Sequence, residues 1–156
     1  MRIKYVFIFL FVILFAHKVS AQNKGFGIGI ILGEPTGVSV KTFTGTNAFD
    51  AAAAWSFADK GGLHLHADYL FHNYSLIKVQ SGKLPLYYGF GARLRFRDKD
   101  RYSDDLVLGA RFPIGLSYEF TGLSADLFFE LVPILNVVPK TDFDLNGALG
   151  FRYYIQ

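Results

Sequence analysis

His64, His66, Asp68 and His72 stand at intervals of two and four residues, so an extended chain carries all of them on one face. A His-x-His pair on a strand can hold zinc with a carboxylate as third ligand, which nominates His64, His66 and Asp68. The same residues equally suit a polar interior, and no cysteine stands beside them. The reading adopted is therefore no bound metal and no cofactor. Ser56 with these histidines nominates lipid acyl chemistry, but the chain has no Gly-x-Ser-x-Gly element to present the hydroxyl. Gly25-x-Gly27-x-Gly29 has the look of a nucleotide loop, yet no helix follows it as that function needs. No catalytic residue is assigned.

A larger set shares the face of the histidines. Lys41, Arg93, Arg95, Arg111 and Arg152 face Asp50, Asp68, Glu119, Asp126 and Glu130, five cations against five anions. Charges enclosed in a narrow interior must be paired, because an uncompensated buried ion costs several kcal/mol. The set serves either a gated ion path or a polar plug. So many long Arg and Tyr side chains leave little bore, which favours the plug. Lys41 and Asp50 are equidistant from the centre of Thr44-Gly45-Thr46-Asn47, so symmetric pairing places them opposite each other. Arg111 with Glu130 and Asp126 with Arg152 are expected to meet by diagonal reach.

The elements that carry these residues are eight runs of period two between Gly25 and the end of the chain. The third opposes Phe49, Ala51, Ala53, Trp55 and Phe57 to Asp50, Ala52, Ala54 and Ser56. The fourth opposes Leu63, Leu65, Ala67, Tyr69 and Phe71 to His64, His66, Asp68 and His72. The fifth sets Leu86, Tyr88, Phe90, Ala92, Leu94 and Phe96 against Tyr87, Gly89, Gly91, Arg93 and Arg95, and the sixth runs unbroken from Leu106 to Phe120. Within every run the charges share the small, polar face. Turns fall at 34–37, 45–47, 59–62, 97–105, 121–123 and 139–143, with a longer connection at 75–83. Pro133 interrupts the phase of the seventh run, as a proline inside a sheet marks a bulge.

An apolar face of Phe, Leu, Ile and Val opposite a small, charged face is the pattern of a sheet between lipid and a polar interior. A soluble eight-stranded barrel would turn the bulky face inward, where the space only just accommodates side chains. Strand edges cannot stay unpaired in hydrocarbon, so the sheet must close. The expected fold is thus all-β, a closed eight-stranded antiparallel transmembrane β-barrel.

Residues 1–21 read as a signal peptide. Arg2 and Lys4 precede about a dozen apolar residues to Ala16, and small residues end at Ala21. That stretch is short of the roughly 20 residues a membrane helix needs. Its three cations account for the formal net charge of +3, so residues 22–156 are neutral. A neutral chain offers no basic patch for nucleic acid. Residues 22–156 form one barrel domain, and an even strand count puts both termini in the periplasm.

The stretches Gly33-Glu34-Pro35-Thr36-Gly37, Trp55-Ser56-Phe57, Leu63-His64-Leu65-His66-Ala67-Asp68-Tyr69-Leu70 and Asp144-Leu145-Asn146-Gly147 resemble a family of small bacterial outer-membrane barrels of unknown function. The resemblance spans nearly all of residues 22–156. It implies an eight-stranded barrel similar to the outer-membrane protein A transmembrane domain, and it brings no catalytic residues. The chain ends Tyr153-Tyr154-Ile155-Gln156 instead of on the terminal Phe usual in such barrels. The expected function is that of a non-enzymatic outer-membrane protein, structural or binding, with a charge-filled interior. A lipid-modifying enzyme or a small pore is the alternative. Expected partners are outer-membrane lipids, lipopolysaccharide and the barrel-assembly machinery, with the protein itself a monomer.

Overall fold

In the computed structural model, residues 25–57, 62–97 and 105–155 are described. They form an all-β structure of nine antiparallel strands: β1 (Phe26–Glu34), β2 (Thr36–Thr44), β3 (Asn47–Ser56), β4 (Gly62–Asn73), β5 (Leu86–Arg97), β6 (Asp105–Arg111), β7 (Ile114–Glu119), β8 (Ala125–Val138) and β9 (Asp142–Ile155). Strands adjacent in sequence pair with each other, except β6 and β7, which both lie between β5 and β8. β1 also pairs with β9, Phe26 against Ile155, so the pairings run round in a ring.

The count of nine corrects the expected eight. The sixth run is divided at Phe112-Pro113 into β6 and β7, which share β5 on one side and β8 on the other. Proline has no N–H for the ladder, so pairing lapses there. Phe112 N–H still donates to the Pro133 carbonyl (3.0 Å), and the Pro113 carbonyl accepts from Gly89 N–H (2.9 Å). Pro133 itself breaks nothing: β8 runs through it, paired with Leu145. The irregularity lies nearer the end of β8. Leu108 opposes Val138 while Gly109 opposes Asn136, leaving Val137 as the extra residue, and both valines are exposed.

The alternation of side chains holds around the ring. Ile28, Ile30, Val38, Phe49, Trp55, Tyr88, Phe90, Phe129, Leu131, Leu149 and Tyr153 are exposed, whereas all ten charges assigned to the inner face are at most 7 % exposed. Phe49, Tyr69, Phe71, Tyr88 and Phe90 form a continuous aromatic cluster on the outside of β3–β5, with Phe49 and Tyr69 centroids 4.9 Å apart. Inward glycines make room for large neighbours. A Cβ on Gly150 would lie 2.1 Å from Phe128 Cζ, and one on Gly91 2.0 Å from Asp68 Oδ1.

The 75–83 connection is tied to the end of β7 by a single β-bridge. Lys83 and Glu119 exchange backbone hydrogen bonds (2.8 and 3.0 Å), and Ser117 N–H donates to the Pro85 carbonyl. Tyr118 Oη donates to the Ser81 carbonyl, and Gly82 N–H to Thr121 Oγ1 (2.7 Å). The chain thus lies along the end of β7 before entering β5. Burial, with Glu119 beside it, raises the Tyr74 phenol well above its usual range. Tyr74 is therefore a neutral donor to Glu119 Oε1 (2.9 Å). The expected signal peptide, the 59–61 turn residues and most of the 97–105 loop lie outside the described residues.

Candidate functional site

The chemistry-bearing side chains converge inside the ring because every strand turns its charged parity inward. Lys41 of β2 opposes Asp50 of β3, which opposes Asp68 of β4. The register expected for the β2–β3 hairpin is therefore the observed one. The ion pairing is different. The Asp50 carboxylate is held by Arg152 of β9, whereas Lys41 Nζ bonds His72 Nε2 at 2.9 Å and stands 4.0 Å from Asp126. Two aspartates directly opposite one another repel, and each is met by a guanidinium from a strand that is not its neighbour. Arg111 Nε bonds both oxygens of Asp68 (3.0 and 3.1 Å).

Arg111 also reaches Glu130 (3.8 Å), and Arg152 reaches Asp126 (3.9 Å), as the sequence suggested. Asp126 and Arg152 need no diagonal reach, being direct partners in the β8–β9 register. Asp126 further accepts from Ser117 (3.1 Å) and Tyr154 (2.7 Å), and Glu130 from Tyr87 (3.0 Å). Glu119, the remaining acidic member, accepts from the Tyr74 hydroxyl.

Aromatic rings fill the space between these charges. Arg152 lies over the Phe128 ring at 3.8 Å, and Lys41 over Phe43 at 4.8 Å and Tyr87 at 5.2 Å, distances at which a cation gains from the ring face. Phe43 packs on His72 (5.1 Å) and Tyr154 (5.8 Å). Phe43 and Tyr154 belong with Tyr87 and Phe128 to one buried apolar cluster.

Of the metal candidates, the structure joins His66 and Asp68 and adds Asp50 in place of His64. His66 Nε2 is 4.0 Å from Asp50 Oδ1 and 3.9 Å from Asp68 Oδ2. The donor types suit a divalent cation. Yet each carboxylate is already neutralised by a guanidinium, so a cation would face Arg111 and Arg152 directly. That charge balance favours the reading without metal. Ser56 does not meet a histidine: its hydroxyl donates to Glu34, whose other oxygen accepts Phe57 N–H at 2.9 Å.

Toward the β8–β9 turn, Arg93 Nη2 bonds Asn136 Oδ1 (2.7 Å) and pairs with Asp144. Asn136 Nδ2 also donates to Asp144 (3.0 Å). Sequence reasoning missed Asp144 and Asn136. Asp144 shares the parity of Asn146, so carrying the inward phase of the eighth run two residues back would have found it. Asn136 lay beyond Pro133, where the phase was in doubt.

No protein-family model and no curated protein matches the chain. Among solved structures, the chain is similar to the N-terminal β-barrel domain of Pseudomonas aeruginosa OprF. The TM-score is 0.62 over 85% of this chain and 100% of that domain, at 13% identity. The two share a fold.

Proposed function

We propose that this chain is an outer-membrane β-barrel protein with a non-enzymatic, structural or binding role, its interior closed by paired charges and aromatic rings. One observation carries the reading: a ring of strands exposes Phe, Leu, Ile and Val while burying ten charged side chains. That inversion of a soluble protein is what lipid around a polar interior selects. Strands of 9 to 14 residues, as in β1 and β9, suffice to cross when tilted. The outer aromatic cluster on β3–β5 fits an interfacial girdle, and the shared fold with a known β-barrel domain supports closure. In this reading residues 1–21 are a signal peptide cut after Ala21. Lipids and lipopolysaccharide surround a monomer that the barrel-assembly machinery inserts.

The mature protein should refold in detergent to a form whose electrophoretic mobility changes on boiling. A mobility indifferent to boiling, or a helical circular dichroism spectrum, would overturn the reading. Topology follows as well: both described ends, Phe26 and Ile155, lie at one rim, expected to be periplasmic. A thiol reagent applied to intact cells should label Ser103→Cys and spare Ser81→Cys. The native chain has no cysteine to confuse the result. Labelling of Ser81→Cys alone would mean that the barrel is inverted.

A further inference from the structure

The interior of the ring is uneven in what it leaves unsatisfied. Buried nitrogens without a hydrogen-bond partner include Arg95 Nε and Nη2, Arg93 Nη1, Arg111 Nη1, Arg152 Nη1 and both ring nitrogens of His64. On the acceptor side, the only carboxylate oxygen so orphaned among the described residues is Asp126 Oδ1. A surplus of buried donors calls for an acceptor that the chain does not supply.

Arg95 is the extreme case. It is 2% exposed, yet among the described residues its Nε and Nη2 have no hydrogen-bond partner, although a buried cation is costly without a counter-charge. His64 of β4, fully buried, stands opposite it in the β4–β5 register, and Arg93 lies two residues along the same inner face of β5. Asp144 already serves Arg93 and Asn136. Among the described residues, this region of the interior therefore holds more positive than negative charge, the reverse of what a cation site needs.

We propose that the ring binds a small oxyanion, a carboxylate or phosphate, against Arg95. The two orphaned nitrogens of Arg95, Nε and Nη2, form one edge of the guanidinium. Their parallel N–H groups match two oxygens of a carboxylate or phosphate. Arg93 Nη1 supplies a further donor, and His64 another through whichever ring nitrogen carries the proton. The same anion neutralises the uncompensated charge of Arg95, so binding and stability are linked.

The test uses the refolded mature chain in detergent, titrated with inorganic phosphate and separately with acetate at constant ionic strength set by sodium chloride. Thermal stability and the 15N resonances of the arginine side chains are followed together. At least one probe should raise the unfolding temperature saturably and shift the Arg95 Nε–H resonance. Arg95→Gln should weaken that binding by about ten-fold to a hundred-fold, the value of a charged bidentate contact. Lys140→Gln, an exposed charge loss, should leave it unchanged. If Arg95→Gln does not refold, the resonance shift in the native chain decides the matter alone. A non-saturable response to both probes, an unmoved Arg95 resonance, or equal binding by Arg95→Gln would each overturn the proposal, leaving interior water as the partner of these donors.

Discussion

Asp50→Ala is expected to destabilise the protein by about 3–5 kcal/mol, because it strands a buried guanidinium. Arg152 is 2% exposed and depends on Asp50 for its main ion pair, with Asp126 3.9 Å away and Ser39 accepting from Nε at 3.0 Å. Arg152→Ala should cost at least as much, since Asp50 loses its guanidinium and Asp126 keeps, among the described residues, only the Lys41 cation. The double variant should cost much less than the two single changes added together. A urea-denaturation cycle reads this as a coupling energy of roughly 1–3 kcal/mol. Asp50 with Lys41 is the informative comparison. They are direct neighbours in register, but Lys41 spends its ammonium on His72 and faces Asp126, so their coupling should be distinctly smaller. A larger coupling for Lys41 than for Arg152 would show that cross-strand adjacency, not reach across the ring, decides pairing here.

The second large effect belongs to the outer face. Ala92 sits mid-strand in β5, exposed, with Ala67 on one side and Ala110 on the other. Ala92→Arg removes no packing and adds a single charge. In a bilayer it should cost about 2–4 kcal/mol if the residue lies near the midplane, because hydrocarbon cannot solvate the guanidinium. Ala92→Leu should be close to neutral. The two variants are compared by unfolding from lipid vesicles. Equal stability of both would mean that this face meets water.

Much of this arrangement is readable from parity alone. Once Phe49, Trp55, Leu65 and Phe90 are placed on one face, period two forces Asp50, Ser56, His66 and Arg93 onto the other, and no tertiary information is needed. Register was legible in the β2–β3 hairpin because the turn is short and symmetric about Gly45. What a hairpin argument cannot supply is which strand lies across the ring. Arg152 reaches Asp50 from β9, and Arg111 reaches Asp68 from two strands away, since a long guanidinium side chain spans distances that local spacing does not encode. Prolines misled in both directions. Pro113 divides a strand that period two reads as continuous, while Pro133 is carried inside a strand, its neighbours bonded around the missing donor. The 75–83 connection was opaque because its bonds to β7 are mostly backbone, and backbone bonding leaves no pattern in residue type.

Trp55 offers the most direct measurement of the central claim, that the exposed apolar face meets lipid. It is the single tryptophan of the chain, it lies on the outer parity of β3, and it is 44% exposed. In vesicles containing lipids brominated along the acyl chain, its fluorescence should be strongly quenched, while aqueous iodide should have little effect. Quenching by iodide with indifference to the brominated lipid would contradict the account, because the face carrying Trp55 would then be in water.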